Sequence, residues 1–198
     1  MKQVIIIHGG DTFDSYDDFI SYLKQKAVHL ERLREEDWKD TLQEKLGKEF
    51  DVLAPPMPSK ANAKYYEWKI WFEKLAPFFE ENVILVGHSL GGIFLAKYLS
   101  ENAYPKKIRG VFLVAAPYDK GSTYSLADFT LPKSLKKFSE QARKIFIYQS
   151  EDDTMVEAIN ADQYHKDLSQ AVVRMFKDQG HFNREEIPGL VKDIKSLS

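Results

Sequence analysis

Short apolar runs alternate with longer amphipathic stretches along this chain, the pattern of a parallel sheet wrapped by helices. Runs at Gln3 to His8, Asp51 to Ala54, Asn82 to Gly87, Gly110 to Ala115, Lys144 to Gln149 and Ala171 to Phe176 predict the strands. Val4-Ile5-Ile6-Ile7, Val83-Ile84-Leu85-Val86 and Val111-Phe112-Leu113-Val114 are apolar throughout, as strands covered on both faces should be. Helices are predicted at about 36–47, 64–80, 90–101, 155–168 and 184–197. In the first, Trp38, Leu42 and Leu46 recur every fourth residue, and in the second Trp68, Trp71, Phe72 and Leu75 share one helical face. That aromatic stripe, with Tyr65 and the pair Phe78-Phe79, reads as core.

Two segments break the alternation, at about 11–35 and 117–140. Both follow predicted strand ends, where long segments in this architecture usually serve a site, and the second is expected to cap it. At 198 residues the chain is long enough for one sizeable core, so residues 1–198 read as a single α/β domain carrying these two insertions.

Candidate chemistry enters at Gly87-His88-Ser89-Leu90-Gly91, a G-x-S-x-G string between a β-branched run and the helix-compatible Ile93 to Leu99. A serine on a sharp strand-to-helix turn needs small residues two positions away on each side, because the bent backbone leaves no room for side chains there. Ser89 is therefore the candidate nucleophile. It needs a base to take its proton and an acid to orient that base, and in this arrangement they follow in the chain order Ser, Asp or Glu, His. His165 and His181 lie late enough. His165 falls inside an amphipathic stretch and reads as a surface residue. His181, in Gly180-His181-Phe182 after a strand, is the candidate base, with an ordinary loop histidine as the alternative. For the acid, Glu151-Asp152-Asp153 follows a strand directly, and Asp153-Thr154-Met155-Val156 lets a valine anchor the turn while the aspartate faces inward. Asp153 is favoured; Asp152 and Asp119 are the alternatives. Helix capping accounts for the other carboxylates.

An oxyanion needs backbone N–H donors. Leu90, opening a helix after the nucleophile, should supply one. Gly10, in His8-Gly9-Gly10-Asp11 after the first strand, should supply the other, with Gly9 or Asp11 as alternatives. His8 is expected to support that loop and His88 to pack beside the site. Phe13, Tyr118, Tyr124, Phe129 and Phe182 are candidates for an apolar acyl pocket or, equally, for insertion core.

Composition narrows the classes. The formal net charge of −2 gives no reason to expect nucleic acid as a partner, and the absence of cysteine excludes disulfides and thiolate ligands. No H-E-x-x-H, P-loop or G-x-G-x-x-G string occurs, so no metal or other cofactor is expected. The basic pairs and runs, Lys106-Lys107 and Lys133 to Lys137, read as solvated faces. The N-terminal apolar run is too short for a secretory signal, and no run approaches the roughly 18 apolar residues of a spanning helix. A cytoplasmic protein without membrane insertion is the expectation.

From His8-Gly9-Gly10 through Gly87-His88-Ser89-Leu90-Gly91 and Asp153 to Gly180-His181, the chain resembles the α/β-hydrolase superfamily. It is most similar to the compact serine hydrolases of the retinoblastoma-binding-protein type, which begin directly at the oxyanion-loop strand. Pro55-Pro56-Met57-Pro58 followed by Trp68 also resembles that group, while residues 11–35 form a longer insertion than is expected there. The resemblance implies a six-stranded parallel sheet in the order 2-1-3-4-5-6 with helices on both faces. It also implies a Ser89-His181-Asp153 esterase-like activity on a small carboxylic ester, or a thioester or amide. A non-catalytic binding descendant of the same scaffold is the alternative.

Overall fold

The apolar runs form β1 (Lys2–Ile7), β2 (Phe50–Leu53), β3 (Val83–His88), β4 (Ile108–Val114), β5 (Ile145–Ser150) and β6 (Val172–Phe176). They are seen in a computed structural model that describes residues 1–30, 36–118 and 125–197. All pair in parallel, in the order β2-β1-β3-β4-β5-β6. Alternate residues of each central strand feed two separate cores. Ile5, Ile7, Val83, Leu85, Val111 and Leu113 pack on one side, and Val4, Ile6, Ile84, Val86, Phe112 and Val114 on the other. Every one of these side chains is fully buried, worth about 1.5–3 kcal/mol each relative to exposure. Continuous apolar runs are tolerated only in such doubly covered strands.

Helices α3 (Tyr65–Leu75), α4 (Leu90–Glu101), α5 (Lys136–Gln141) and α6 (Ile159–Asp167) cover the first face, and α2 (Trp38–Leu46) and α7 (Leu190–Ser196) the second. The chain leaves β1 outward to β2 and then crosses back to β3, so the strand order reverses between β1 and β3. A crevice opens at such a reversal, beyond the carboxyl ends of the strands. It is flanked here by the segment after β1 and the β3–α4 turn.

The strand boundaries fall within two residues of those read from the sequence. The helices differ more, for local reasons. Helix α6 begins at Ile159 rather than near 155 because the N–H groups of Met155 and Val156 both donate to Asp153 Oδ1, holding a turn there. Helix α7 begins after Gly189, whose φ of +78° sets the entry, rather than near 184. Pro77 lies in a 3-10 turn that ends the second predicted helix early. Within the aromatic stripe Trp68 and Phe72 are core, while Trp71 and Phe78 stand on the open side. Helix α1 (Tyr16–Gln25) lies in the first insertion and buries none of its residues completely, so the sequence carries no core stripe to reveal it. Its start is nevertheless capped, Ser15 Oγ accepting from the Asp18 N–H.

Helix α7 is fastened to the sheet by one polar cluster, in which Tyr148 and Asp193 are buried and Arg174 is exposed. Asp193 accepts from the Tyr148 hydroxyl of β5 at 2.6 Å and from Arg174 Nε and Nη2 of β6 at 2.9 and 3.0 Å. Removing the carboxylate would strand the Tyr148 hydroxyl, which burial and Asp193 together hold protonated. Asp193→Ala is expected to destabilise the protein by about 2 kcal/mol in urea unfolding; a change under about 0.5 kcal/mol would show the cluster to be dispensable.

Candidate active site

Ser89 sits where β3 turns into α4 with φ 53° and ψ −123°, a left-handed conformation that costs a non-glycine residue about 1–3 kcal/mol. Its surroundings fix it. The Ser89 N–H donates to Val114 O of β4 at 2.8 Å, and Ser89 O accepts from the Gly92 N–H at 2.8 Å. The crossing of β3, α4 and β1 is close enough that a Cβ on Gly87 would lie 2.4 Å from Gly91 O, and one on Gly91 2.1 Å from Ile7 O. Both glycines are therefore required by contact. The same closeness brings Gly9 against the serine, where an added Cβ would stand 3.0 Å from Ser89 Cβ.

Asp153 and His181, 28 residues apart in sequence, meet at 2.8 Å between Oδ2 and Nδ1. The Asp153 side chain is entirely buried and the His181 side chain nearly so. Asp153 Oδ1 takes the Met155 and Val156 N–H groups at 2.8 and 2.9 Å, and Val156 is itself buried, which anchors the turn. Asp152, the alternative acid, is exposed and spent elsewhere: its Oδ1 accepts from Ser150 Oγ at 2.6 Å and from the Gly180 N–H at 2.8 Å. It thereby clamps the loop that carries His181. Ser150 Oγ in turn accepts from the Gln179 N–H. On the far side of the histidine, Phe182 adopts φ 55° and drives its ring into the core against Phe176. Asp119 lies outside the described residues, and His165 is exposed on α6.

The two remaining histidines of the crevice act on backbone. His88 Nε2–H donates to His181 O at 2.9 Å from a fully buried ring. Burial holds His88 well below the ordinary histidine value, with the charges of Lys39 and His181 adding to the effect. His8 receives the Met57 N–H at Nε2, 2.9 Å away, so its Nδ1 carries the proton and donates to Gly9 O at 2.6 Å. A trans peptide holds its C=O and N–H on opposite sides. Fixing Gly9 O toward His8 thus turns the Gly10 N–H away from that ring. The Asp11 N–H is already bonded to Lys60 O at 3.0 Å. Leu90 is the first residue of α4, where the helix leaves the N–H unused.

Ser89 opens onto two cavities. One, of about 390 Å³, also reaches His181, Asn183, Lys26, Lys39 and Lys60. The other, of about 220 Å³, is walled by Thr12, Phe13, Tyr22 and Met155. Of the aromatic pocket candidates, Phe13 is placed there. Phe129 and Phe182 belong to the two cores, Tyr118 packs on Tyr164, and Tyr124 lies outside the described residues. The described part of the second insertion packs on α3 and α4 through Phe129 and secures the first, Ser125 O accepting from Thr12 Oγ1 at 2.6 Å, while residues 119–124 of the segment expected to cap the site lie outside the described residues. It is the first insertion that walls the crevice. Tyr22, Met155 and the three lysines were not foreseen, because they come from segments far apart in the chain.

Among the described residues no helix is long and apolar enough to cross a membrane. The family model for serine hydrolases matches residues 25–190. The serine hydrolase RBBP9 of Rattus norvegicus is 28% identical over 151 residues, covering 75% of this chain and 78% of that protein. The ydeN gene product of B. subtilis superposes with a TM-score of 0.74 at 20% identity, over 100% of this chain and 98% of that one. The CarC enzyme, a serine hydrolase involved in carbazole degradation, gives a TM-score of 0.65 at 12% identity, over 100% and 90%. These structural likenesses show the α/β-hydrolase fold.

Burial holds both His8 and His88 below the ordinary value of 6.5 in the folded state. Below that pH the unfolded chain takes up protons that the folded chain refuses. Stability is therefore complete above about pH 6.5 and falls as the pH drops, chiefly through the fully buried His88, by at most about 1.4 kcal/mol per pH unit. Urea midpoints measured between about pH 7.5 and 5.5 should show this fall, and His88→Gln should flatten it. Parallel curves for the two proteins would remove His88 as a cause.

Proposed function

This chain belongs to the serine hydrolase family, and we propose that within it the protein cleaves a small carboxylic ester through Ser89, His181 and Asp153. The observation that carries this reading is the 2.8 Å contact of Asp153 with His181 Nδ1 in the crevice that holds the strained Ser89. With Nδ1–H donated to the buried carboxylate, His181 Nε2 is left as the acceptor for the serine proton.

In the first half-reaction Ser89 Oγ attacks the carbonyl carbon and its proton passes to His181 Nε2. The carbonyl π pair moves onto oxygen, which the N–H groups of Gly10 and Leu90 receive. Gly10 is preferred to Asp11 because the Asp11 N–H is bonded to Lys60 O. Collapse of the intermediate breaks the bond to the leaving oxygen, and His181 gives that oxygen the proton. In the second half-reaction a water repeats the attack on the acyl-serine with His181 again as base, releasing the acid and restoring Ser89. Asp153 keeps its charge throughout and stabilises the imidazolium. No step calls for a metal or cofactor. The same machinery accepts a thioester or amide; the leaving nitrogen of an amide depends most on the proton His181 delivers, and the sulfur of a thioester least.

A fluorophosphonate probe is expected to label Ser89, and Ser89→Ala to abolish labelling. Asp153→Asn should lower kcat on a p-nitrophenyl ester by about 10²–10⁴. A folded protein that neither reacts with the probe nor turns over aryl esters would instead be a binding descendant of the scaffold.

A further inference from the structure

The crevice carries an imbalance of charge on one side of Ser89. Lys26 stands 3.8 Å from Asp11, and Lys39 is paired with Asp37. Lys60, at the start of a 3-10 turn, lines the same 390 Å³ cavity and has no ion-pair partner among the described residues. Three ammonium groups thus face two carboxylates, Asp153 being committed to His181. The backbone of Lys60 is not free to carry that charge away. Its carbonyl accepts from the Asp11 N–H at 3.0 Å and lies so close to Gly10 that an added Cβ would stand 2.7 Å from it. The charge is felt across the site: Lys60 disfavours protonation of His8, His88 and Lys39 alike, each of which is lowered first by burial. The smaller cavity shares Asp11 and Met155 with the larger one but adds Phe13 and Tyr22 and has no lysine.

The position of His181 decides which part of a substrate meets which cavity, given the hydrolase reading above, on which this step rests. His181 must reach the leaving oxygen to protonate it. It lines the lysine-bearing cavity and not the apolar one. The leaving group therefore lies among the lysines, and the acyl group against Phe13 and Tyr22. We propose that the substrate joins a small apolar acyl group to a leaving group bearing an anion, a carboxylate or a phosphate, which Lys60 binds. The anion takes no part in the bond changes. It orients the leaving oxygen toward His181 Nε2 and departs with the protonated alcohol.

The test compares three butyrate esters, with 4-nitrophenol, 3-carboxy-4-nitrophenol or 4-hydroxyphenyl phosphate as the leaving group, on wild type, Lys60→Gln and Lys60→Glu. Each anionic ester is read as kcat/KM relative to the neutral one, and that ratio is compared between proteins, so intrinsic reactivity cancels. One partly solvated ion pair should lower the ratio about threefold to fivefold in Lys60→Gln, and further in Lys60→Glu. High salt should narrow the difference. A fall in both anionic arms assigns an anion of either kind, and a fall in one arm alone assigns that anion. Ratios unchanged in both arms, with turnover still abolished by Ser89→Ala, overturn the inference and leave the hydrolase reading standing. Absence of turnover together with absence of fluorophosphonate labelling at Ser89 overturns the hydrolase reading, and the inference with it.

Discussion

The crossing of β3 and α4 over the end of β1 is the constraint on which the site depends. Gly87 and Gly91 let the turn approach Ile7 O and its own helix closer than any side chain permits. That approach forces Ser89 into its left-handed conformation, and the burial of β3 and α4 on both sides offsets the strain. It also sets His8, Gly9 and Gly10 directly beside the serine, because they continue β1. Ser89 and the His8-Gly9-Gly10 loop are thus placed by one contact, with the strand reversal supplying the crevice between them.

The histidine is placed by a different means. His181 stands on a loop, and loops are poor positioning devices unless tied. Here the ties come from every direction. Asp153 holds the ring, Asp152 and Ser150 hold the preceding backbone, His88 holds the His181 carbonyl, and the buried Phe182 ring pins the residue that follows. Two adjacent aspartates divide the work, the buried one contacting the ring and the exposed one the backbone. His8 does for Gly9 what His88 does for His181. Both rings are kept neutral by burial, and neutrality is what allows His8 to accept the Met57 N–H while donating to Gly9 O.

Legibility in the sequence followed burial. Strands buried on both faces are continuous apolar runs, so β1, β3 and β4 were readable to within two residues, and Trp38, Leu42 and Leu46 revealed α2 by their spacing. That Asp153 and His181 would meet in a crevice lined by Ser89 was readable because chain order and strand ends restrict the choices to a few. Helix α1, with no fully buried residue, left no stripe, and the turn at Asp153 shortened α6 through side-chain bonds that periodicity does not record. The walls of the crevice were least legible. Lys26, Lys39 and Lys60 come from three segments, and a lysine's spacing says nothing about whether an aspartate awaits it across the fold. In the second insertion, Phe129 reads as readily for a lid as for the core it fills.

The central claim is that Ser89 becomes covalently acylated during turnover. Acid quenching of the protein a few milliseconds after mixing with p-nitrophenyl butyrate, followed by mass spectrometry of the peptide containing Ser89, tests it directly. The account predicts a butyryl group on Ser89, formed with one equivalent of nitrophenol per protein in a burst. Sustained turnover with Ser89 unmodified, and no burst, would contradict it.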